Sequence, residues 1–304
     1  MATTDVATRL VQVGGGRVLT VDIAGPPEGE VILVHHGSPG SRLLYGPAIA
    51  DAAARGARLV GYDRPGYGGS TRLPGRAVAD VVADLRAIAA ALGVERLVTW
   101  GLSGGGPHPL ACAALAPDLV AAVATFASVG PLGVEGLDFP GEMGELNVES
   151  FRLVLEDPAA AAAQDDADAE ELVRLDVEGL LAEWESILSP PDRAVLAGEA
   201  GLFVVDSLRL GLAPGAAGYS DDNLAFTRPW GFDPADIAVP CLVLQGDQDL
   251  MVPPAHGEWL ARRVPGATLR RSDDGHLSLL GEVADVHEWL LAVLRAEREV
   301  SSTG

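Results

Sequence analysis

Between residues 96 and 116 an apolar run meets a glycine-rich corner and then becomes an alanine-rich helical pattern. The run 96–100 has the length and composition of a buried strand. The corner that follows, Gly101-Leu102-Ser103-Gly104-Gly105, leaves no room for a gradual bend before the helix expected over 107–116. Strand, sharp turn and helix form the setting in which Gly-x-Ser-x-Gly carries chemistry. A Cβ at Gly101 or Gly105 would meet the adjoining strand or helix, and Ser103 must adopt a strained backbone. The Ser103 hydroxyl is thereby lifted above a sheet edge, at the positive end of a helix. Ordinary glycine turns also produce this five-residue match, so the rest of the chain has to supply the partners.

Short apolar runs alternate with helical patterns on either side of this corner. Alternating runs at 9–13 and 17–23, joined by Gly14-Gly15-Gly16, predict a hairpin. Continuous apolar runs at 30–35, 58–62 and 120–127 predict buried parallel strands. Helices are predicted at 47–55 and at 77–92, where Val81, Leu85, Ile88 and Leu92 recur at helical spacing before Gly93. From 131 to 233 the pattern is helical or irregular with no buried strand. The rhythm resumes with strands at 239–245 and 267–271 and helices at 253–263 and 277–299. This order predicts an α/β fold with a mostly parallel central sheet covered on both faces. It divides the chain into a first core segment (1–130), an inserted helical cap (131–233) and a second core segment (234–304). The acidic run 165–171 reads as a solvated helix face.

Composition removes whole classes of function. The formal charge is −22 with no basic stripe, which disfavours nucleic acid and anionic membrane as partners. All 21 basic residues are arginine, so Schiff-base chemistry and lysine-dependent phosphate loops are excluded. No window is long and apolar enough to span a membrane, and the polar start 1–9 is expected to hold no leader. Cys112 and Cys241 fall in a predicted helix and a predicted strand and read as buried free thiols, which fits a reducing cytoplasm. No His/Cys/Asp grouping has metal-ligand spacing, so neither a metal nor another cofactor is expected.

A lone serine is a poor nucleophile and needs a base held by an acid. Two strand ends offer these groups in chain order: Gly246-Asp247-Gln248-Asp249, and then Asp273-Asp274-Gly275-His276. Together with His36-Gly37-Ser38-Pro39-Gly40, the loop Asp63-Arg64-Pro65-Gly66-Tyr67-Gly68-Gly69-Ser70 and Val252-Pro253, these motifs resemble the α/β-hydrolase-fold serine hydrolases that carry a helical cap. The resemblance covers the chain outside the cap. It implies Ser103 as nucleophile, His276 as base and then acid, and Asp249 as the orienting carboxylate. Asp249 is preferred to Asp247 because that family's acid lies three residues after the turn glycine; Asp247 reads as a turn residue. The oxyanion hole would use the backbone N–H groups of Ser38 and Gly104, with no role expected for the Ser38 side chain. His35, His36 and His108 read as packing or loop hydrogen-bonding groups, and His256 and His287 as surface or helix-end residues.

Serine at the corner implies an acyl-enzyme. Haloalkane dehalogenases and epoxide hydrolases, which resemble this chain, place an aspartate there. The leading expectation is a carboxylic-ester hydrolase acting on a small or medium substrate. An aminopeptidase similar to the proline iminopeptidases is the alternative. The loop 37–40 resembles theirs, and Glu142, Glu145 or Glu149 would receive an amine, but their tryptophan after the nucleophile is Gly104 here. A cofactor-free C–C bond hydrolase, a perhydrolase-like activity and a ligand-binding protein on the same fold also stay open. Phe139, Met143, Trp184 and Trp230 are the first candidate pocket residues, with Phe151, Phe203 and Phe226 behind them.

Overall fold

An eight-stranded sheet carries the chain in a computed structural model that describes residues 5–303. Residues 1–4, part of the start expected to hold no leader, and residue 304 lie outside that range. The strands are β1 (Val6–Gly14), β2 (Arg17–Ala24), β3 (Glu30–His35), β4 (Ala57–Tyr62), β5 (Leu97–Leu102), β6 (Val120–Phe126), β7 (Cys241–Gly246) and β8 (Thr268–Ser272). Their order across the sheet is β1-β2-β4-β3-β5-β6-β7-β8. The β1–β2 hairpin and the β2–β4 pair are antiparallel, and every later pair is parallel.

Helices α1 (Gly46–Ala54), α2 (Val81–Leu92) and α3 (Pro107–Leu115) connect the early strands, and α4 (Glu145–Glu156), α5 (Pro158–Leu172), α6 (Val177–Glu183), α7 (Pro190–Leu196), α8 (Glu199–Gly211) and α9 (Ala217–Phe226) are inserted between β6 and β7. Helices α10 (Pro254–Arg263) and α11 (Val283–Thr303) complete the sheet layers. Strand side chains alternate between two cores, as a sheet covered on both faces requires. Val31 and Leu33 of β3 join the core with Leu85, Ile88 and Leu110, while Ile32 between them joins Ala48, Leu290 and Leu294 on the other face. Because β3 to β8 run parallel, the loops after β3, β5, β7 and β8 open on one edge. No helix among the described residues is long and apolar enough to cross a membrane.

The inserted helices begin where the sequence caps them. Asp157 accepts from the Ala159 and Ala160 N–H groups ahead of Pro158, and Asp176 accepts from Gly179 N. They approach the sheet edge through glycines. A Cβ on Gly211 would sit 1.9 Å from Gly40 O, and one on Gly218 would sit 2.6 Å from the carbonyl carbon of Gly66. The end of α8 and the start of α9 are therefore pressed directly onto the loops after β3 and β4.

Three sequence expectations are corrected here. Asp165 is not on a solvated face: it is buried, and its Oδ2 accepts from Ser220 Oγ at 2.6 Å, joining α5 to α9. His256 and His287 are buried rather than at the surface. His256 takes the Gly130 N–H on Nδ1 at 2.9 Å and lies 2.9 Å from Phe139 O through Nε2. His287 accepts from Trp100 Nε1 at 3.2 Å and faces Asp51 at 3.0 Å. Each joins segments remote in sequence, which a helical spacing rule does not register.

Burial raises the Asp165 carboxyl to about 6 despite its hydrogen bonds from Ser220 and Asn223. A carboxyl raised on folding binds its proton more tightly in the native state. Its effect is therefore a loss of stability as pH climbs from about 4 to about 6, on the order of 1–2 kcal/mol. Asp165→Asn keeps the acceptor for Ser220 without the charge. It should raise the melting temperature at pH 8 by about 2–4 °C and flatten the loss on the alkaline side. Thermal melts from pH 4 to 8 check this, and an unchanged pH dependence would count against it.

Candidate active site

The corner after β5 has the strained geometry its glycines imply. Ser103 sits at φ +57°, in the left-handed region, at the head of a single 3₁₀ turn (Ser103–Gly105) that runs into α3. A Cβ on Gly101 would lie 2.4 Å from Gly105 O, and one on Gly105 would lie 2.3 Å from His35 O. Neither position accepts a side chain. The loop after β3 packs against this corner: a Cβ on Gly37 would come within 3.7 Å of Ser103 Cβ, and one on Gly104 would meet Ser38 Oγ at 2.6 Å. Ser38 and Gly104, the two expected oxyanion donors, are thus in direct contact.

His276 and Asp249 meet at the same edge. His276 Nδ1 lies 2.8 Å from Asp249 Oδ2, and both side chains are buried. Asp249 Oδ1 accepts from Met251 N at 2.9 Å and Val252 N at 2.8 Å, so the turn after β7 closes on its own carboxylate. Asp247 is in a different position: exposed, with its Oδ1 taking the Arg271 Nε–H at 2.6 Å. Burial pulls the His276 imidazole down. The charge and hydrogen bond of Asp249 and the charge of Asp192 outweigh it and hold His276 above the ordinary imidazole value.

Asp192, on α7, escaped the sequence reading. Its carboxylate accepts three consecutive backbone N–H groups: His276 at 2.9 Å, Leu277 at 2.7 Å and Ser278 at 3.0 Å. It also takes the Ser189 hydroxyl at 2.7 Å. It acts as an N-terminal cap donated from another part of the chain to the 3₁₀ turn Ser278–Glu282. Ser189-Pro190-Pro191-Asp192 reads locally as the start of α7, and nothing in that stretch points 84 residues onward.

A second omission lies under the loop after β3. The Ser38 hydroxyl, expected to be idle, donates to Asp222 Oδ2 at 2.6 Å. Arg64 Nη2 donates to Gly37 O (3.0 Å), Ser38 Oγ (2.8 Å) and Asp222 Oδ2 (2.7 Å), while Nη1 donates to His36 O. Tyr67 Oη adds a third partner to Asp222 at 2.8 Å. Arg76 Nη2 stands 2.6 Å from Asp222 Oδ1 as a charge contact, its aligned hydrogen bond going to Gly218 O. His36 accepts the Arg64 N–H on Nε2 at 3.2 Å, so its proton is on Nδ1, which donates to Gly37 O at 2.7 Å. His35 pairs with Tyr62 Oη at 2.9 Å, and His108 stacks on His35 at 6.1 Å. Burial and then the Arg64 charge push all three imidazoles well below their ordinary value. Asp63 ties its own loop, accepting from Gly69 N at 2.9 Å and Arg42 N at 2.8 Å.

Ser103, His276 and Ser38 line one cavity of about 240 Å³. Trp184 and Phe203 line it as well. Of the other aromatic and methionine candidates, Phe139, Met143 and Trp230 are in the core outside it. Phe139 packs edge-on against Phe151 at 4.8 Å, and Trp230 stacks on Phe232 at 5.7 Å. Apolarity alone did not separate these from the lining residues. Glu142, Glu145 and Glu149 are also outside the cavity, whereas Asp168, Glu171 and Glu183 line it.

The sheet order and the corner after β5 define an α/β-hydrolase architecture with an inserted helical region. Residues 30–283 match the model of the alpha/beta hydrolase fold family, and the chain belongs to that family. Epoxide hydrolase B of Mycobacterium tuberculosis is 27% identical over 184 residues, covering 58% of this chain and 51% of that protein. A probable proline iminopeptidase of Streptomyces coelicolor is 33% identical over 120 residues, covering 36% of each. The matches thus span about half or less of these curated relatives. The fold extends further than the sequence likeness: the esterase RhEst1 of a Rhodococcus species superimposes with a TM-score of 0.68 at 20% identity, over 94% of this chain and 99% of that one.

An imidazole held up by a buried carboxylate should titrate above the ordinary histidine range, and Asp249→Asn should bring it down. NMR titration of His276 tests this. A midpoint that Asp249→Asn leaves in place would show that the pair is not electrostatically coupled.

Proposed function

We propose that this protein is a serine hydrolase that cleaves a carboxylic ester, or a related acyl bond, of a small or medium substrate through an acyl-enzyme. The observation that carries this reading is a serine at positive φ lining the same cavity as a histidine bonded to a buried aspartate. Ser103 Oγ attacks the acyl carbon as His276 Nε2 takes its proton. Asp249 accepts from Nδ1–H and stabilises the imidazolium. The oxyanion is received by the Ser38 and Gly104 N–H groups, each worth roughly 3 kcal/mol in the transition state. His276 then protonates the leaving alcohol and activates the water that releases the acid. Serine at 103 sets this scheme apart from the aspartate that the resemblance implies for epoxide hydrolases.

The cavity lining supports a substrate class. Val34, Ala48, Leu59, Trp100 and Leu280 supply an apolar part, and Asp168, Glu171 and Glu183 supply three carboxylates with no arginine among the lining residues. An apolar acyl group and a neutral or cationic remainder suit these walls, and an anionic substrate does not. The inserted helices, residues 131–233, serve as the cap over this cavity. The same three carboxylates favour a second reading, an aminopeptidase resembling the proline iminopeptidases.

The test pairs a short-chain p-nitrophenyl ester with a proline arylamide and adds fluorophosphonate labelling read by intact mass. We expect labelling at Ser103 and ester turnover, both lost in Ser103→Ala with the fold retained. Turnover of the arylamide instead supports the second reading, and unchanged ester hydrolysis by Ser103→Ala overturns both. Because the base is neutral His276 and its value is raised, activity should climb with pH to a plateau above the ordinary imidazole range. A flat profile from pH 5 to 8 would remove His276 as base.

A further inference from the structure

The group of charges under the oxyanion loop has no role in the scheme above. It consists of Arg64, Arg76 and Asp222, with side chains 1%, 3% and 0% exposed. Burying charge in this way is costly unless close pairing and hydrogen bonds offset the lost hydration. What it does to the loop follows from peptide geometry. The Gly37–Ser38 peptide is trans, and a trans peptide sends its C=O and N–H in opposite directions. Gly37 O is held on the Arg64 side by Arg64 Nη2 at 3.0 Å and by His36 Nδ1 at 2.7 Å, and His36 O is held by Arg64 Nη1. The Ser38 N–H is thereby turned away from Arg64, and the Ser38 side chain lies against Gly104 at the corner. Arg64 is in turn held by Asp222, which also grips the Ser38 hydroxyl.

The cluster also carries charge. Two guanidinium groups face one carboxylate, and the phenols of Tyr62 and Tyr67 are neutral. His35, His36 and His108 are neutral as well. The next pair outward, Arg17 with Asp84 at 2.7 Å, cancels itself. Asp80 lines the same small cavity as Arg64 and Arg76 and adds a carboxylate to this group.

We propose that Asp222, on α9, is a positioning residue for this reaction: through Arg64 and the Ser38 hydroxyl it fixes the Gly37–Ser38 peptide so that its N–H meets the developing oxyanion. Asp222 never touches substrate. Its contribution belongs to the transition state, where the acyl oxygen carries charge, and not to the ground state. This rests on the acyl-enzyme reading, and the test separates the two.

The experiment measures kcat and KM for the p-nitrophenyl ester in wild type, Asp222→Asn and Ser38→Ala. It adds the affinity of a trifluoromethyl ketone, which forms a tetrahedral oxyanion adduct with a serine, and of the matching non-fluorinated ketone, which binds without one. Expected for Asp222→Asn is a fall in kcat of about tenfold or more, with KM changed less than about threefold. The fluorinated ketone should weaken in parallel while the plain ketone binds as before. Ser38→Ala should show the same split with a smaller fall, and it decides the matter if Asp222→Asn does not fold. Equal losses for both ketones would make Asp222 a structural residue only and overturn the proposal, as would wild-type values throughout. A wild type that forms no adduct at Ser103 overturns the acyl-enzyme reading itself, and the proposal with it.

Discussion

The site depends on how closely β5 and α3 approach each other at one corner. Ser103 is held at φ +57° between two glycines whose Cβ atoms would overlap the backbone of Gly105 and of His35. No side chain offsets that strain locally; the surrounding sheet and helix impose it. The same crowding brings the loop after β3 onto the corner, so Ser38 and Gly104, whose N–H groups would bind an oxyanion, are far apart in the chain yet adjacent in space. If the corner relaxed, the hydroxyl, the donors and the cavity wall would all move together.

Around this corner the chain uses carboxylates as fasteners. Asp249 closes its own turn and holds His276, Asp63 closes its own loop, and Asp192 and Asp222 reach in from the inserted helices. The last two differ in kind from the first two. A carboxylate that accepts three backbone N–H groups, as Asp192 does, leaves three buried donors without partners if it is removed, and each such loss costs about 1–3 kcal/mol. The inserted helices are therefore part of the machinery that sets the histidine loop and the loop after β3. They are more than a roof over the cavity. Their contacts through Gly211 and Gly218 bring the backbones close enough for this.

What could be read from the sequence follows the range of the interaction. Strands, helices and the corner at Ser103 rest on apolar periodicity and on glycines within a few residues, and they appear where those patterns predict, with ends shifted by a few positions. Placing Asp249 and His276 at neighbouring strand ends followed from chain order in a parallel sheet. Asp192 and Asp222 were invisible because their partners are 84 and 184 residues away. In a segment rich in Asp and Glu, nothing distinguishes a carboxylate that faces water from one that faces a backbone amide. Asp165 is the same case within the segment: it opens an acidic run and yet is buried against Ser220.

The pocket shows the opposite difficulty. Phe139 and Trp230 have the size and apolarity of ligand contacts, as Trp184 and Phe203 do, and only packing assigns the first pair to the core and the second to the cavity. An aromatic ring gains about the same from burial in either place, so composition carries no information about which surface it covers. Charge behaves differently: Glu171 and Glu183 line the cavity while exposed to solvent, and Asp168 while half-buried, so these carboxylates keep their hydration. Asp168, Glu171 and Glu183 therefore mark the solvated edge of the cavity, which the rings do not. On the proposed reading they favour a neutral or cationic group at that edge, while Val34, Ala48 and Leu59 supply the apolar lining for an acyl chain.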